Sequence, residues 1–480
     1  MGNRLSQLAR DRIYLCKRSN DRSDLNLSSC GLNRVPRRIQ RFRRTLTKLN
    51  VGKNFLSEFN KYIERFYVLE TLIADSNELK IIWPGLSQLQ YLKHLDVSNN
   101  LLTMAPSYLN SLIHLNISYN SIQSFPNGIQ LPVLEELLYS HNRVSLFPTP
   151  ILELSHLHML DMSGNQLAYI PDEISQLAGT LRHLDISDNQ FTSFPPSVAT
   201  LIGLRSLRLA GNNLGTLSPS FTSLVALEIL DLHQCSLISF DFDLGNLENL
   251  TELSLSENRL LELSITTSNS LGLLKKMKNL DLSSNQLTTI PKQVGWLTNL
   301  RRLNLSQNQL TRVPGELSLL NPSIDIILVP NPLEYPFCEW IKDGMPLFLQ
   351  SIRPMMKCYG PNCYVSGLEK SLSANAPNQF FIHSIDYAGV PRVSGGDIFD
   401  VKMILDGSES PDLSGANTNS SRASTSFYKD IVCIVKDNFK AQKTATYSVF
   451  FNSPQTGSYA IHISSDGCPI TGSPFSLELV

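Results

Sequence analysis

The sequence is short of most features that would announce a function at once. Eight cysteines are scattered over 480 residues, which is no disulfide framework of the kind that staples small secreted domains. No run of about eighteen apolar residues occurs, so no segment is apolar enough for a membrane-spanning helix. The net charge is −1, and a near-neutral chain offers nucleic acid no overall electrostatic hold. There is no Walker loop, no kinase signature set and no nucleophile elbow. Cys358 and Cys363 form a C-x4-C pair with no second close pair nearby, so they read as free thiols rather than zinc ligands. Neither a metal nor a cofactor is expected. Arg10, Asp11 and Arg12 interrupt any apolar leader core after the start. Sparse thiols and no leader predict a reducing, cytosolic compartment, where the Asn-x-Ser triplets at Asn116 and Asn304 carry no meaning.

What the chain does have is an uneven charge distribution and a long repeat. Residues 1–53 hold fourteen Lys and Arg against three Asp, a net of +11, which leaves −12 on the rest. With 42% hydrophobic and 17% charged residues, the composition is globular rather than disordered. Self-similarity fills residues 21–336. "LDLSSNQLTTIP" at 280–291 returns as "LNLSQNQLTRVP" at 303–314, "LDMSGNQLAYIP" at 160–171 and "LDISDNQFTSFP" at 184–195. One slot of the template holds Asn54, Asn77, Asn100, Asn120, Asn142, Asn165, Asn189, Asn212, Asn258, Asn285, Asn308 and Asn331. Cys30 and Cys235 fill it in two further units, giving fourteen at steps of mostly 23 residues, with 27 before Asn285.

Each L-x-L core predicts a short strand with its leucines turned inward. The slot asparagine is placed to bond the turning backbone, so stacked units build a ladder of such bonds; cysteine replaces it as a small, weakly bonding residue. The proline six places on predicts an extended return without regular helix. No unit buries its apolar face alone; stacking does. The pattern resembles the leucine-rich repeat family, whose period is 20–29 residues. The resemblance implies an α/β solenoid of about fourteen repeats with a parallel sheet on its concave face. Its ends are expected to be closed by residues 1–20, with helical potential at 5–18, and by a capping helix at 337–356. Phe337, Trp340, Ile341, Leu347, Phe348 and Ile352 are expected to supply that helix's apolar side. Its wording resembles the terminal helix of cytosolic members of the family, since Cys338 stands alone where secreted members close with a C-x-C cap.

The residue between the two leucines of each core faces out of the concave sheet. That column reads Asn26, Asn50, Ile73, Asp96, Asn116, Leu138, Asp161, Asp185, Arg208, Asp231, Ser254, Asp281, Asn304 and Ile327; His94, His114, Met159 and His183 stand two places before it. Asp96, Asp161, Asp185, Asp231 and Asp281 read either as an acidic stripe for a basic partner or as common repeat wording that aids solubility. His94 beside Asp96, and His183 beside Asp185, raise acid–base chemistry only weakly. The exposed apolar residues Ile73, Leu138, Met159 and Ile229 suggest a protein contact patch. Partner contact is therefore expected at Ile73, His94, Asp96, Leu138, Met159, Asp161, Asp185, Arg208 and Asp231.

Beyond a linker expected at 357–372 the pattern changes to short alternating runs separated by turn residues, which predicts an all-β sandwich over 373–480. Gly367-Leu368, Phe380, Ile382, Gly396 to Phe399, Asp437-Asn438, Thr446-Tyr447, Gly457 to Tyr459 and Gly472 to Phe475 carry a resemblance to a single filamin-type immunoglobulin-like repeat. The sequence departs from that family in the glycine-free "FKAQK" after Asp437-Asn438 and in the Ser/Asn-rich stretch 408–426, read as disordered surface. The resemblance implies that a partner adds a strand beside Tyr428–Lys436, with Ile431, Cys433 and Val435 on one face. The alternative is that this face fills the core. Actin binding is not implied, because the actin-binding filamins carry a separate calponin-homology region.

The opening "MGNRLS" matches an N-myristoylation signal at Gly2. One acyl chain binds a bilayer only marginally, at about 10⁴ M⁻¹, so a basic second anchor is expected from Arg4, Arg10, Arg12, Lys17, Arg18, Arg37, Arg38, Arg41, Arg43 and Arg44. Together these predict a non-enzymatic adaptor on the inner face of a membrane that binds proteins and not nucleic acid. Similarity of the repeats to cytosolic Ras-signalling members implies a Ras-type small GTPase or its effector as partner. The alternative is a cytoskeletal linker for receptor tails or cortical proteins.

Overall fold

In a computed structural model the described residues are 6–19, 21–263, 271–356, 362–386, 391–392, 397–405, 433–437, 446–453, 455–465 and 468–480. Gly2, Arg4, Ile431 and the 408–426 stretch lie outside them.

The L-x-L cores form fourteen three-residue strands in one parallel sheet, in chain order. They are β1 (Asp24–Asn26), β2 (Lys48–Asn50), β3 (Thr71–Ile73), β4 (His94–Asp96), β5 (His114–Asn116), β6 (Glu136–Leu138) and β7 (Met159–Asp161). There follow β8 (His183–Asp185), β9 (Ser206–Arg208), β10 (Ile229–Asp231), β11 (Glu252–Ser254), β12 (Asn279–Asp281), β13 (Arg302–Asn304) and β14 (Asp325–Ile327). The central leucines pair in register from Leu25 to Leu303 and close on Ile326. They point away from solvent into one continuous core that also holds the leucines of the returns. At ~1.5–3 kcal/mol for each fully buried leucine side chain, this shared interior is the main force holding the coil together.

The slot side chains knit neighbouring turns. Asn142 donates from Nδ2 to the Ile117 carbonyl at 3.0 Å and the Ser140 carbonyl at 3.0 Å, and accepts from the Ile122 amide at 3.0 Å. Cys235 keeps part of this, its Sγ lying 3.3 Å from the Leu209 carbonyl. The tight corner has a cost that the repeat wording conceals. Every residue preceding a slot residue, from Ser29 to Gln307, sits at positive φ, and only Gly164 and Gly211 are glycines among them. A left-handed non-glycine residue costs roughly 1–2 kcal/mol, and the ladder bonds hold it there.

The prolines do what their rigid φ demands, then hand over to something the sequence pattern does not show. Pro171 (φ −69°, ψ 153°) and Pro314 (φ −69°, ψ 145°) are extended, but each introduces a single 3₁₀ turn, Asp172–Leu177 and Gly315–Leu319. The 3₁₀ turns stack along the convex side, as Gly295 shows: a Cβ there would meet the Glu316 carbonyl oxygen at 2.1 Å.

Both ends of the stack are covered. Helix α1 (Gln7–Arg18), whose N-cap Ser6 accepts from the Ala9 amide, buries Ala9, Ile13 and Cys16. At the other end stand two helices, α2 (Phe337–Trp340) and α3 (Met345–Ile352), where one was expected. Gly344 at φ 95° breaks them apart. Phe337, Phe348 and Ile352 are buried as expected, but Leu347 is 53% exposed and Leu349 takes the inward position.

The second unit is a sandwich. One sheet runs β15 (Tyr364–Ser366), β17 (Asn378–His383), β20 (Thr446–Phe451), β19 (Ile434–Asp437). The other runs β16 (Ser371–Leu372), β23 (Phe475–Leu479), β21 (Gly457–Ser465), β18 (Asp400–Leu405), with β22 (Cys468–Pro469) paired to β21. Strands β15 and β16 lie within 357–372, so part of the expected linker is hydrogen-bonded into the sheets. Phe380, Ile382, Tyr447, Val449, Tyr459, Ile461 and Leu477 fill the space between them. A buried polar cluster closes one end: Asp397 is 3.2 Å from Arg392 Nη2 and accepts from Ser384 Oγ at 2.6 Å and the Tyr447 hydroxyl at 3.2 Å.

Candidate partner-binding surfaces

The sheet register brings the column between the leucines into one line, from Asn26 to Ile327. Its five aspartates are not simply free charges. Asp96 Oδ1 accepts from the Ser98 amide at 3.0 Å and the Ser98 hydroxyl at 2.7 Å; Asp161 does the same with Ser163, and Asp281 with Ser283. Asp185 and Asp231 accept from the amides of Ser187 and His233. The asparagines of the column, such as Asn116 and Asn304, make the same bond. Where the column holds an acceptor, that acceptor closes the turn, though Ile73, Leu138, Arg208 and Ile327 stand in the same place without one. The second oxygen is left for a partner in Asp96, Asp161 and Asp231, while that of Asp281 accepts from Asn304 Nδ2 at 3.2 Å and that of Asp185 faces Arg208 at 3.9 Å. Burial pushes the Asp185 carboxyl above its ordinary value.

The apolar residues of this face do not form one patch. Leu138 and Met159 lie on adjacent strands, β6 and β7, while Ile73 on β3 and Ile229 on β10 stand apart from them. All four are half-buried. The histidines pair differently from the sequence reading. No hydrogen bond or ion pair joins His94 to Asp96 or His183 to Asp185 among the described residues. Instead the His94 and His114 rings lie 6.0 Å apart, and His114 Nδ1 is 2.7 Å from Glu136 Oε2. Desolvation lowers the His183 imidazole below its ordinary value. Nothing here places a base against a nucleophile.

Sequence reasoning missed a shallow hollow of about 380 Å³ spanning β9 to β13. Arg208 and Arg302 stand at its ends and Asp231, Glu252 and Asp281 between them, over the small Ser254. Arg208 also leans 3.9 Å from Asp185. Reading the column two places before the aspartates, which supplies Glu252 and Arg302, would have found it.

At the N-terminal end the expected basic residues divide. Arg10, Lys17, Arg18, Arg37, Arg38, Arg41, Arg43 and Arg44 are exposed. Arg12 instead turns inward and donates from Nη1 to the Ser28 carbonyl at 2.6 Å, sealing α1 to the first turn. Its role is structural. In the sandwich, β19 pairs with β20 on one side. Cys433 and Val435, expected on a partner's side, pack against the core, because alternation in a strand sends the neighbouring residue outward. The outward positions are Ile434, 53% exposed, and Lys436, whose Nζ lies 5.1 Å from the Phe450 ring centre.

Comparison with known proteins follows this division. The leucine-rich repeat region family matches residues 134–324, and the filamin/ABP280 repeat family residues 356–476. The chain holds a leucine-rich repeat region followed by a filamin repeat. Its leucine-rich region is similar to adenylate cyclase from Schizosaccharomyces pombe, 31% identical over 205 residues, 41% of this chain and 12% of the cyclase. It is also similar to leucine-rich repeat serine/threonine-protein kinase 1 from Mus musculus, 33% identical over 177 residues, 35% of this chain and 8% of the kinase. The chain thus spans a small part of these relatives and matches them through the repeats alone. Among solved structures, a leucine-rich repeat protein of Leptospira interrogans is 28% identical with a TM-score of 0.50, over 65% of this chain and 97% of that one. An internalin of Listeria monocytogenes, 20% identical, has a TM-score of 0.55 over 67% of this chain and 94% of its own; it shares the fold.

Proposed function

We propose that this chain is a non-enzymatic, membrane-tethered scaffold whose leucine-rich region holds one protein and whose filamin repeat holds another, in small-GTPase or cortical signalling. Its two repeat types together make a protein-interaction scaffold. The observation that carries the reading is the concave sheet, fourteen strands long and in register. It presents the second carboxylate oxygens of Asp96, Asp161 and Asp231, the Leu138–Met159 pair and the Arg208–Arg302 hollow as a graded surface for a partner of mixed charge. The similarity of the repeat wording to Ras-signalling proteins favours a Ras-type GTPase or an effector for that face. The basic first turn, with Gly2 as lipidation site, supplies the tether to an anionic inner leaflet.

The test is capture of a purified Ras-type GTPase, loaded with a GTP analogue or with GDP, by the full chain and by a Leu138→Glu, Met159→Glu variant. Nucleotide-dependent capture that the variant loses supports the adaptor; capture by neither nucleotide form removes it. Fractionation of a Gly2→Ala chain tests the tether, which fails if the variant stays with membranes. A second reading, a cytoskeletal linker, is favoured by the exposed Ile434 on the β19 edge, where a receptor-tail or cortical peptide would add a strand. Loss of cortical position on Ile434→Glu, with GTPase capture intact, would select it.

A further inference from the structure

The outer face of α1 is not what a plain end cap requires. A cap needs an apolar inner side and a polar outer one, yet α1 has apolar residues on both. Ala9, Ile13 and Cys16 face the first turn. Opposite them Leu8 is 45%, Tyr14 50% and Leu15 65% exposed. The Arg18 guanidinium lies over the Tyr14 ring, 4.9 Å from its centre, so the outer face mixes bulky apolar groups with cationic ones. Arg18 also belongs to a second feature. It lines an open cleft of about 510 Å³ with Ser19, Asp21, Arg22, Ser23 and Thr45. Asp21 in that cleft accepts from the Ser23 amide at 2.9 Å, and hydrogen bonding from the Ser23 side chain first, then from this amide, holds its carboxyl below the ordinary range. Thr45 follows directly on Arg43 and Arg44, so the cleft joins the C-terminal end of α1 to the arginines of the first return. Among the described residues no acid lies within ion-pair distance of Arg18, Arg22, Arg43 or Arg44.

We infer that this end of the solenoid is an interfacial membrane-docking face, in which Leu8, Tyr14 and Leu15 enter the headgroup layer of an anionic bilayer and the Arg18–Arg22 cleft takes a phospholipid phosphate. The inference rests on the membrane reading above and locates its contact surface, independently of any lipid on Gly2. Charge complementarity selects the occupant. Exposed leucines and a tyrosine flanked by unpaired arginines fit the boundary between acyl chains and anionic headgroups, whereas a protein partner would require acids on its own surface and leave the apolar residues to a second match. Arg18 joins the two features, lying over the Tyr14 ring and lining the cleft.

The experiment uses the full chain made without lipidation and vesicles of phosphatidylcholine alone or with phosphatidylserine. The expected result is sedimentation with the phosphatidylserine vesicles only, weakened by added salt. Binding falls about tenfold or more in a Leu8→Glu, Leu15→Glu variant and again in Arg18→Gln, Arg22→Gln. All four side chains are exposed, and unchanged tryptophan emission from Trp83, Trp296 and Trp340 would show the coil intact. A Tyr14→Trp chain should gain a blue-shifted component on the same vesicles. Wild-type binding that survives all four substitutions overturns the inference and leaves the basic tether standing. Absence of binding by the unlipidated chain overturns it too. Failure of the lipidated chain to bind as well removes the membrane reading itself.

Discussion

Replacing Asn212 tests the ladder where it is most fully enclosed. The residue is 2% exposed. Its Nδ2 donates to the Ile186 carbonyl at 3.0 Å and the Leu209 carbonyl at 2.7 Å, and its Oδ1 accepts from the Phe191 amide at 3.1 Å. In Asn212→Ala the buried Phe191 amide loses its partner, while the Ile186 carbonyl keeps Asn189 Nδ2 at 3.1 Å and the Leu209 carbonyl keeps Cys235 Sγ at 3.3 Å. One orphaned buried group costs about 1–3 kcal/mol, and the weakened bonding of the two carbonyls keeps the total toward the top of that range. Asn212→Cys should lose less, about half, because a thiol in this slot still donates, as Cys235 does to Leu209. Two of the bonds cross to the preceding turn, so the cost falls on the interface between repeats as well as on one unit. Urea unfolding followed by tryptophan emission reads this directly, since Trp83 lies before the site and Trp296 and Trp340 after it. The midpoint should fall in the order wild type, Cys, Ala. An alanine variant within 1 kcal/mol of wild type, or a cysteine variant below the alanine one, would refute the ladder as the coupling element.

Three further outcomes follow from single sites. Tyr139 is wholly buried with its hydroxyl unpartnered among the described residues, so Tyr139→Phe should raise stability by about 1 kcal/mol in the same assay; a loss of that size would mean the hydroxyl is satisfied. In the sandwich, Asp397→Ala strands the buried Arg392 guanidinium and should cost about 3–5 kcal/mol, visible in calorimetry as a lowered filamin-repeat transition with the solenoid transition unmoved. Burial lowers the His383 imidazole below its ordinary value of 6.5. The unfolded chain thus takes up that proton more readily, and the stability tied to the site is whole above pH 6.5 and is lost as pH falls through the folded pKa. His383→Gln should flatten the sandwich's stability between pH 7 and 5, and an unchanged slope would assign the dependence elsewhere.

The order of the coil was legible because each repeat repeats the same physical instruction. Leucines two apart define a strand, and a polar amide at a fixed distance defines a corner; fourteen copies leave no ambiguity about register. What a one-letter pattern cannot carry is where a side chain spends its hydrogen bonds. The aspartates of the column look like a binding stripe until Asp96 and Ser98 are seen to close a turn. Arg12 looks like a membrane charge until its guanidinium meets the Ser28 carbonyl. In the sandwich the strand was visible but its phase was not, since Cys433, Ile434 and Val435 are all apolar; packing alone sent Cys433 and Val435 inward. The hollow between Arg208 and Arg302 needs five turns to be aligned before it exists at all.

Cys235 gives the ladder a chemical consequence. Burial pushes its thiol up to about 12, so within the closed coil it is neither a nucleophile nor open to oxidants. Only separation of two neighbouring coils would expose it as thiolate. Alkylation at this position would therefore report breathing of the solenoid's midsection, and an oxidised Cys235 would keep the seam from closing again.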